Sequence, residues 1–108
     1  MKKVLSGIAV LAMLCLAGSI ARAQDVANGE KVYKAKCIVC HGADGKGETA
    51  TGKATKARDI CSADVKKESD ADWTGIIVKG KNKMPPYDKK ITDADVKDVV
   101  KYMRSLCK

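Results

Sequence analysis

The chain contains no phenylalanine, and only one tryptophan, three tyrosines and two prolines among 108 residues. So short a chain holds one small domain, and with so few large aromatics it lacks the usual side chains for a self-sufficient core. A bulky apolar cofactor would supply the missing volume. No segment alternates apolar and polar residues over a useful length, which argues against strands and for an all-α protein. No internal repeat is present. Basic and aromatic residues do not interleave, so nucleic acid is not an expected partner.

The apolar run from Val4 to Ala17 is shorter than the ~20 residues of a membrane-spanning helix. It follows Lys2 and Lys3 and precedes Ala21-Arg22-Ala23, the layout of a cleaved export signal. The expectation is cleavage after Ala23, a mature domain over residues 24–108 in the periplasm, and no stable membrane insertion. Cys15 raises the alternative of a lipid-modified cysteine, but Leu14 precedes it where a small residue is normal. Removing Lys2, Lys3 and Arg22 leaves 18 basic against 13 acidic side chains, a net charge of +5. Such a surface suits acidic protein partners or a membrane surface, or simply solvates the chain.

Four cysteines remain in the mature chain, and export places them in an oxidising compartment. Cys37-Ile38-Val39-Cys40-His41 is the central motif. A two-residue gap lets two thiols reach the two vinyl groups of one haem edge, and the adjacent histidine then lies beside the iron. C-x-x-C-H is read as covalent c-type haem attachment for this reason. A thioredoxin-like thiol pair would need a preceding strand in an α/β fold, and none is indicated. A structural zinc site would need four ligands, which Cys37, Cys40, His41 and Cys61 could make. His41 is the one histidine. As a ligand it is expected to donate its other ring N–H to an acceptor in the 42–59 loop.

A second axial ligand must come from far along the chain. Met103 falls on the apolar face of a helix and is explained by core packing. Met84 lies in Asn82-Lys83-Met84-Pro85-Pro86-Tyr87 and belongs to no periodic face. Pro85 pushes it out of helical geometry, so Met84 is the expected ligand. Histidine–methionine ligation raises the reduction potential and fills both axial positions, which favours electron transfer over bond-making chemistry. No catalytic residue is assigned. Gly47 to Lys53 resembles a phosphate loop, but Ala54 replaces the required Ser or Thr and no strand precedes it.

The helical pattern predicts a first helix over 26–36 capped by Asp25, with Val26, Gly29, Tyr33 and Cys37 on one face. Residues 42–59 read as a loop, with a helical turn near Ser62 to Lys67. A helix capped by Ser69 or Asp70 buries Trp73, Ile76 and Ile77 and stops at Gly80. The last helix is capped by Thr92 and buries Val96, Val99, Val100, Met103 and Leu106.

These segments in order resemble the class I c-type cytochromes, in particular the small bacterial, cytochrome c6-like type. The resemblance rests on Gly29-x-x-x-Tyr33-x-x-x-Cys37-x-x-Cys40-His41-Gly42, on Gly80-Lys-Asn-Lys-Met84-Pro85 and on Asp98 to Met103. It implies the cytochrome c fold, three to four short helices around one covalent haem c. It also implies tight packing of the first helix on the last through Gly29, Tyr33, Val99 and Tyr102, and a monomer that exchanges single electrons with redox proteins through an exposed haem edge. Two departures stand out. The 42–59 loop lacks the proline and large aliphatic residues usual over the haem, which predicts a more exposed edge and a lower potential. Cys61 and Cys107 are not a general family feature, and a disulfide between them is expected. The alternatives are two reduced thiols, or a bond from Cys107 to another protein.

Overall fold

The computed structural model describes residues 23–107, so the export signal and Cys15 lie outside the described residues. Six helices follow in order: α1 Val26–Lys36, α2 Ile38–His41, α3 Ala50–Thr55, α4 Ala63–Lys66, α5 Asp70–Lys79 and α6 Asp93–Leu106. No strand is present among the described residues, only an isolated bridge between Lys81 and Met84.

Local chemistry accounts for the helix starts. Each of α1 and α3–α6 begins with a polar side chain accepting a backbone N–H of its first turn, from Asp25, Thr49, Ser62, Ser69 and Thr92. Ser69 and Thr92 form full capping boxes with Asp72 and Asp95, placing carboxylates at the positive end of the helix dipole.

The structure holds more helices than the three to four expected. The Cys37–His41 motif makes its own single turn, α2, and the 42–59 segment contains α3. That helix has no apolar stripe. It is fixed instead by the Thr49 hydroxyl, which donates to the Val39 carbonyl at 2.7 Å, and by Gly52, where a Cβ would overlap the Cys40 carbonyl. Val26 was expected on one face with Gly29, Tyr33 and Cys37 but is 39% exposed, because the first turn of α1 meets α6 through the polar groups of Asp25 and Asn28.

The core is built where α1 crosses α6. Any side chain at Gly29 would overlap the Asp98 carbonyl and press on Tyr102, so two backbones touch there. Tyr33, 1% exposed, packs beside this point with its ring centroid 5.3 Å from that of Tyr102. Asp98 is fully buried and accepts from the Asp25 N–H at 2.7 Å and the Asn28 side-chain amide at 2.8 Å. The start of α1 is thereby pinned to α6. Val96, Val99, Val100 and Met103 complete the buried stripe of α6, and Trp73 and Ile77 bring in α5.

The 57–68 segment is fastened by charge. Arg58 meets Glu68 through two hydrogen bonds of 2.7 and 3.1 Å. Arg104 of α6 stacks 3.7 Å above the Trp73 ring and donates to Asp70 and to the carbonyls of Lys66 and Glu68. Cys61 and Cys107 lie with their sulfurs at bonding distance and their Cα atoms 5.0 Å apart.

Two substitutions of opposite sign test the crossing. Gly29→Ala is expected to cost about 1–3 kcal/mol, because neither backbone can yield. Gly75→Ala, where a Cβ meets nothing within 4 Å, is expected to gain about 0.5–1 kcal/mol from helix propensity. Denaturant unfolding of the haem-loaded protein reads both.

The ion pair predicts a pH signature. The hydrogen bonds from Arg58 hold the Glu68 carboxyl below its ordinary value. A group depressed in the folded state contributes stability above its unfolded value, about 4.3 for glutamate, and loses it as the pH falls through the folded value. Glu68→Gln is therefore expected to lower the unfolding midpoint slightly at pH 7 and to unfold like the unsubstituted protein once the pH has fallen below the folded value. An equal effect at both pH values would exclude the ion pair as its cause.

Candidate haem site

Helix α1 delivers the motif. Its last turn closes when the Cys37 N–H donates to the Tyr33 carbonyl at 2.9 Å, and α2 follows at once. The Cys40 and His41 N–H groups both donate to the Cys37 carbonyl, at 3.2 and 3.0 Å. Cys37 and Cys40 thus sit one turn apart, with neither sulfur in a disulfide. Burial, with Cys40 beside it, pushes the Cys37 thiol up to about 12, so the unattached side chain is a neutral thiol at neutral pH. The chain turns away at Gly42, whose carbonyl accepts from the Tyr33 hydroxyl at 2.5 Å. Burial raises the Tyr33 hydroxyl far above its ordinary range, so it stays protonated and able to donate.

His41 has a defined role for each ring nitrogen. Nδ1 lies 3.2 Å from the Arg58 carbonyl. A carbonyl only accepts, so Nδ1 carries the hydrogen and Nε2 keeps its lone pair. Burial lowers the His41 pKa, which favours the neutral ring that can ligate a metal. The acceptor lies within 42–59, as expected, and is the carbonyl of Arg58.

Met84 is presented by a tight turn. Lys81 and Met84 exchange backbone hydrogen bonds of 3.0 and 2.9 Å, with Asn82 in a left-handed conformation at φ 55°. Tyr87 then anchors the segment on both sides. Its N–H donates to the Ile77 carbonyl of α5 at 2.9 Å, and its hydroxyl donates to the Lys36 carbonyl at the end of α1 at 3.2 Å.

These elements line one open cleft. Cys37, Cys40 and His41 form one part of its wall and Met84, Pro85 and Tyr87 another. Ile60, Val65, Trp73, Ile76, Ile77 and Met103 form the apolar floor. Thr55, Lys56, Ala57 and Arg58 supply a side with no large aliphatic residue, as the composition of the loop led us to expect. Met103 lines the cleft but belongs to the buried stripe of α6, whereas Met84 is half-buried on a turn outside the helices. The cations at the cleft are Lys36, Lys56, Arg58, Lys81 and Lys83, and no carboxylate lines it.

The residues fit a covalent haem. Two unbonded thiols one turn apart, a neutral imidazole with one nitrogen committed, a thioether and an apolar floor all share one concavity. A zinc site does not assemble. Cys61 faces Cys107, and no group of three or more His, Cys, Asp or Glu among the described residues could hold a metal ion. No helix among the described residues is long and apolar enough to cross a membrane.

Sequence reasoning had missed several residues that support the site. Thr49 and Gly52 brace α2, and Tyr87 links the methionine turn to α1. The signal for Thr49 was present as a capping residue; those for Gly52, Arg58 and Glu68 were long-range and had none.

Comparison with known proteins agrees with this geometry. A family model described as cytochrome C oxidase, cbb3-type, subunit III matches residues 24–103. Cytochrome c6 of Porphyra purpurea is 36% identical over 107 residues, covering 97% of this chain and 94% of its own. Cytochrome c-555 of Methylococcus capsulatus is 34% identical over 80 residues, covering 71% of this chain and 58% of its own. Among solved structures, the KustC0563 c-type cytochrome superposes with a TM-score of 0.68 at 34% identity, covering 74% of this chain and 98% of that one. The cytochrome c6 of the diatom Phaeodactylum tricornutum shares the fold, with a TM-score of 0.58 at 23% identity over 75% of this chain and 92% of that one. With its all-α fold and a site for one covalently bound haem c, the chain belongs to the small monohaem class I c-type cytochromes, proteins of electron transfer.

Proposed function

We propose that the protein is an exported, non-enzymatic electron carrier of the periplasm, with Cys37 and Cys40 as the haem thioethers and His41 and Met84 as the axial ligands. The observation that carries this reading is the single cleft into which both candidate ligands and both unbonded cysteines are gathered. When bound, haem c supplies an iron that takes up and releases one electron. The chain does the rest. His41 offers Nε2 because Nδ1 is held by the Arg58 carbonyl. Met84 offers a soft sulfur that favours the ferrous state and raises the potential. The apolar floor excludes water. Lys36, Lys56, Lys81 and Lys83 at the cleft would offset the charge of the haem propionates and present a basic face, suited to docking an acidic redox partner and to speeding its approach. In this reading the mature chain starts at Gln24, works as a monomer and carries a Cys61–Cys107 disulfide.

The experiment is an absorption and redox comparison of the unsubstituted protein with Met84→Ala and Met103→Ala. The unsubstituted protein is expected to show covalent haem under denaturing conditions, the weak far-red iron–methionine band, and resistance of its reduced form to carbon monoxide. Met84→Ala should lose the band, drop in potential and bind carbon monoxide. Met103→Ala should keep the band while losing about 2–5 kcal/mol of stability, as for a buried methionine. An unchanged spectrum and potential in Met84→Ala would remove Met84 from the iron. Carbon monoxide binding by the unsubstituted protein would instead favour a small-ligand sensor.

The description of the matching family as an oxidase subunit favours a second reading, an electron-entry subunit held in a larger complex. Copurification with membrane complexes from the native source would support that reading, and recovery as a free monomer would support the carrier.

For the disulfide, Cys61→Ala with Cys107→Ala is expected to lower stability by about 3–4 kcal/mol, from the loop closed between two residues 46 apart. Thiol titration of the denatured protein should find no free cysteine before reduction and two after it.

A further inference from the structure

The carbonyl beneath His41 belongs to a segment that has no helix and no proline to fix it. Residues 57–59 lie between α3 and α4, and their flanks are held by backbone bonds from Ala57 to Gly52 and from Ile60 to Gly45. Between these flanks the Arg58 side chain reaches out and is held by both oxygens of Glu68, at 2.7 and 3.1 Å. A paired contact of this kind fixes orientation as well as distance. Glu68 is itself tethered: its carbonyl accepts from Arg104, which is seated over Trp73 and bonded to Asp70. A continuous run of contacts therefore leads from α6 through Glu68 and Arg58 to His41 Nδ1.

We infer that Glu68 is a positioning residue for the haem histidine, holding the Arg58 carbonyl where it accepts the Nδ1 hydrogen and so setting the electron donation of the ring. The inference rests on the reading of His41 as an axial ligand. An acceptor on the far nitrogen makes an imidazole more basic and fixes its plane. Loosening that acceptor weakens donation to the iron and raises the potential. The Arg58 and Glu68 side chains are 39% and 27% exposed, so the pair itself adds little to stability, and its removal reads mainly on the site.

The test uses the haem-loaded protein with Glu68→Gln, Glu68→Asp and, as a charge control, Asp72→Asn, whose carboxylate serves the Ser69 cap and not Arg58. Two quantities are measured: hydrogen exchange of His41 Nδ1–H by NMR in the ferrous state, and the reduction potential. Both Glu68 variants are expected to exchange faster by about tenfold, equivalent to about 1.4 kcal/mol of hydrogen bonding, and to show a raised potential. Glu68→Asp keeps the charge and loses the reach, so a rise there is not electrostatic. Asp72→Asn should leave the exchange unchanged. If exchange in the Glu68 variants matches the unsubstituted protein, or Asp72→Asn accelerates it equally, the role of Glu68 is overturned. If Glu68→Gln fails to take up haem, Glu68→Asp and Arg58→Lys, which keeps the cation without the paired donors, give the same readings. The His41 ring protons of the unsubstituted protein separate the two possible failures. Unshifted ring protons would remove His41 from the iron, whereas haem-shifted protons with unchanged exchange would overturn only the part played by Glu68.

Discussion

Everything in this molecule depends on two helices being able to touch backbone to backbone. Gly29 lies against the carbonyl of Asp98, and the buried Asp98 carboxylate binds the start of α1 through Asp25 and Asn28. This contact fixes the direction of α1, and so fixes where its far end, carrying Cys37, Cys40 and His41, meets the cleft. A wider separation would displace the cysteines and histidine relative to Trp73, Ile77 and Met103, which α5 and α6 contribute to the floor. The tilted contact of Tyr33 with Tyr102 fills the space beside the crossing, and the Tyr33 hydroxyl continues the connection to Gly42.

The scarcity of large side chains has its counterpart in the cleft. A chain without phenylalanine has a concavity where a larger domain would have a packed interior, and a haem held there would fill it. Binding and folding are thus two aspects of one burial of apolar surface. The polar devices around the cleft keep the site in register while that surface is shared: the Thr49 cap over α2, the Tyr87 link to α1, the paired contact of Arg58 with Glu68. Lys36, Lys56, Lys81 and Lys83 give the cleft a basic lining with no carboxylate in it, while Arg58 is paired with Glu68.

What could be read from the sequence followed from how local each signal was. The bounds of α1 and the caps of α1, α5 and α6 are written in contiguous residues, and the structure reproduces them. Gly29 was legible because a glycine inside a helical pattern needs a reason. The attachment motif carried its chemistry in five consecutive residues. Helix α3 was not legible, because Ala50 to Thr55 has no apolar stripe and is held by the backbone of Cys40 and the Thr49 hydroxyl. The acceptor beneath His41 could be assigned to the right loop but not to Arg58, since no side-chain type marks a carbonyl donating nothing but its position. Val26 had the right residue type for burial, but it lies one turn before the crossing and stays half outside.

The concentration of contacts on α6 bears on access to the cleft thiols. Asp98 holds the start of α1, Arg104 holds α5 and the 66–68 turn, and Cys107 meets Cys61. Helix α6 is therefore the element to which α1, α5 and the 66–68 turn are all fastened. Cys37 and Cys40 lie at the far end of the helix that α6 holds. Cys37 is half-buried there, on the wall of the cleft. Undocking of α6 alone would release the start of α1, α5 and the 66–68 turn together, so access to the two cleft thiols and the hold of the last helix are coupled.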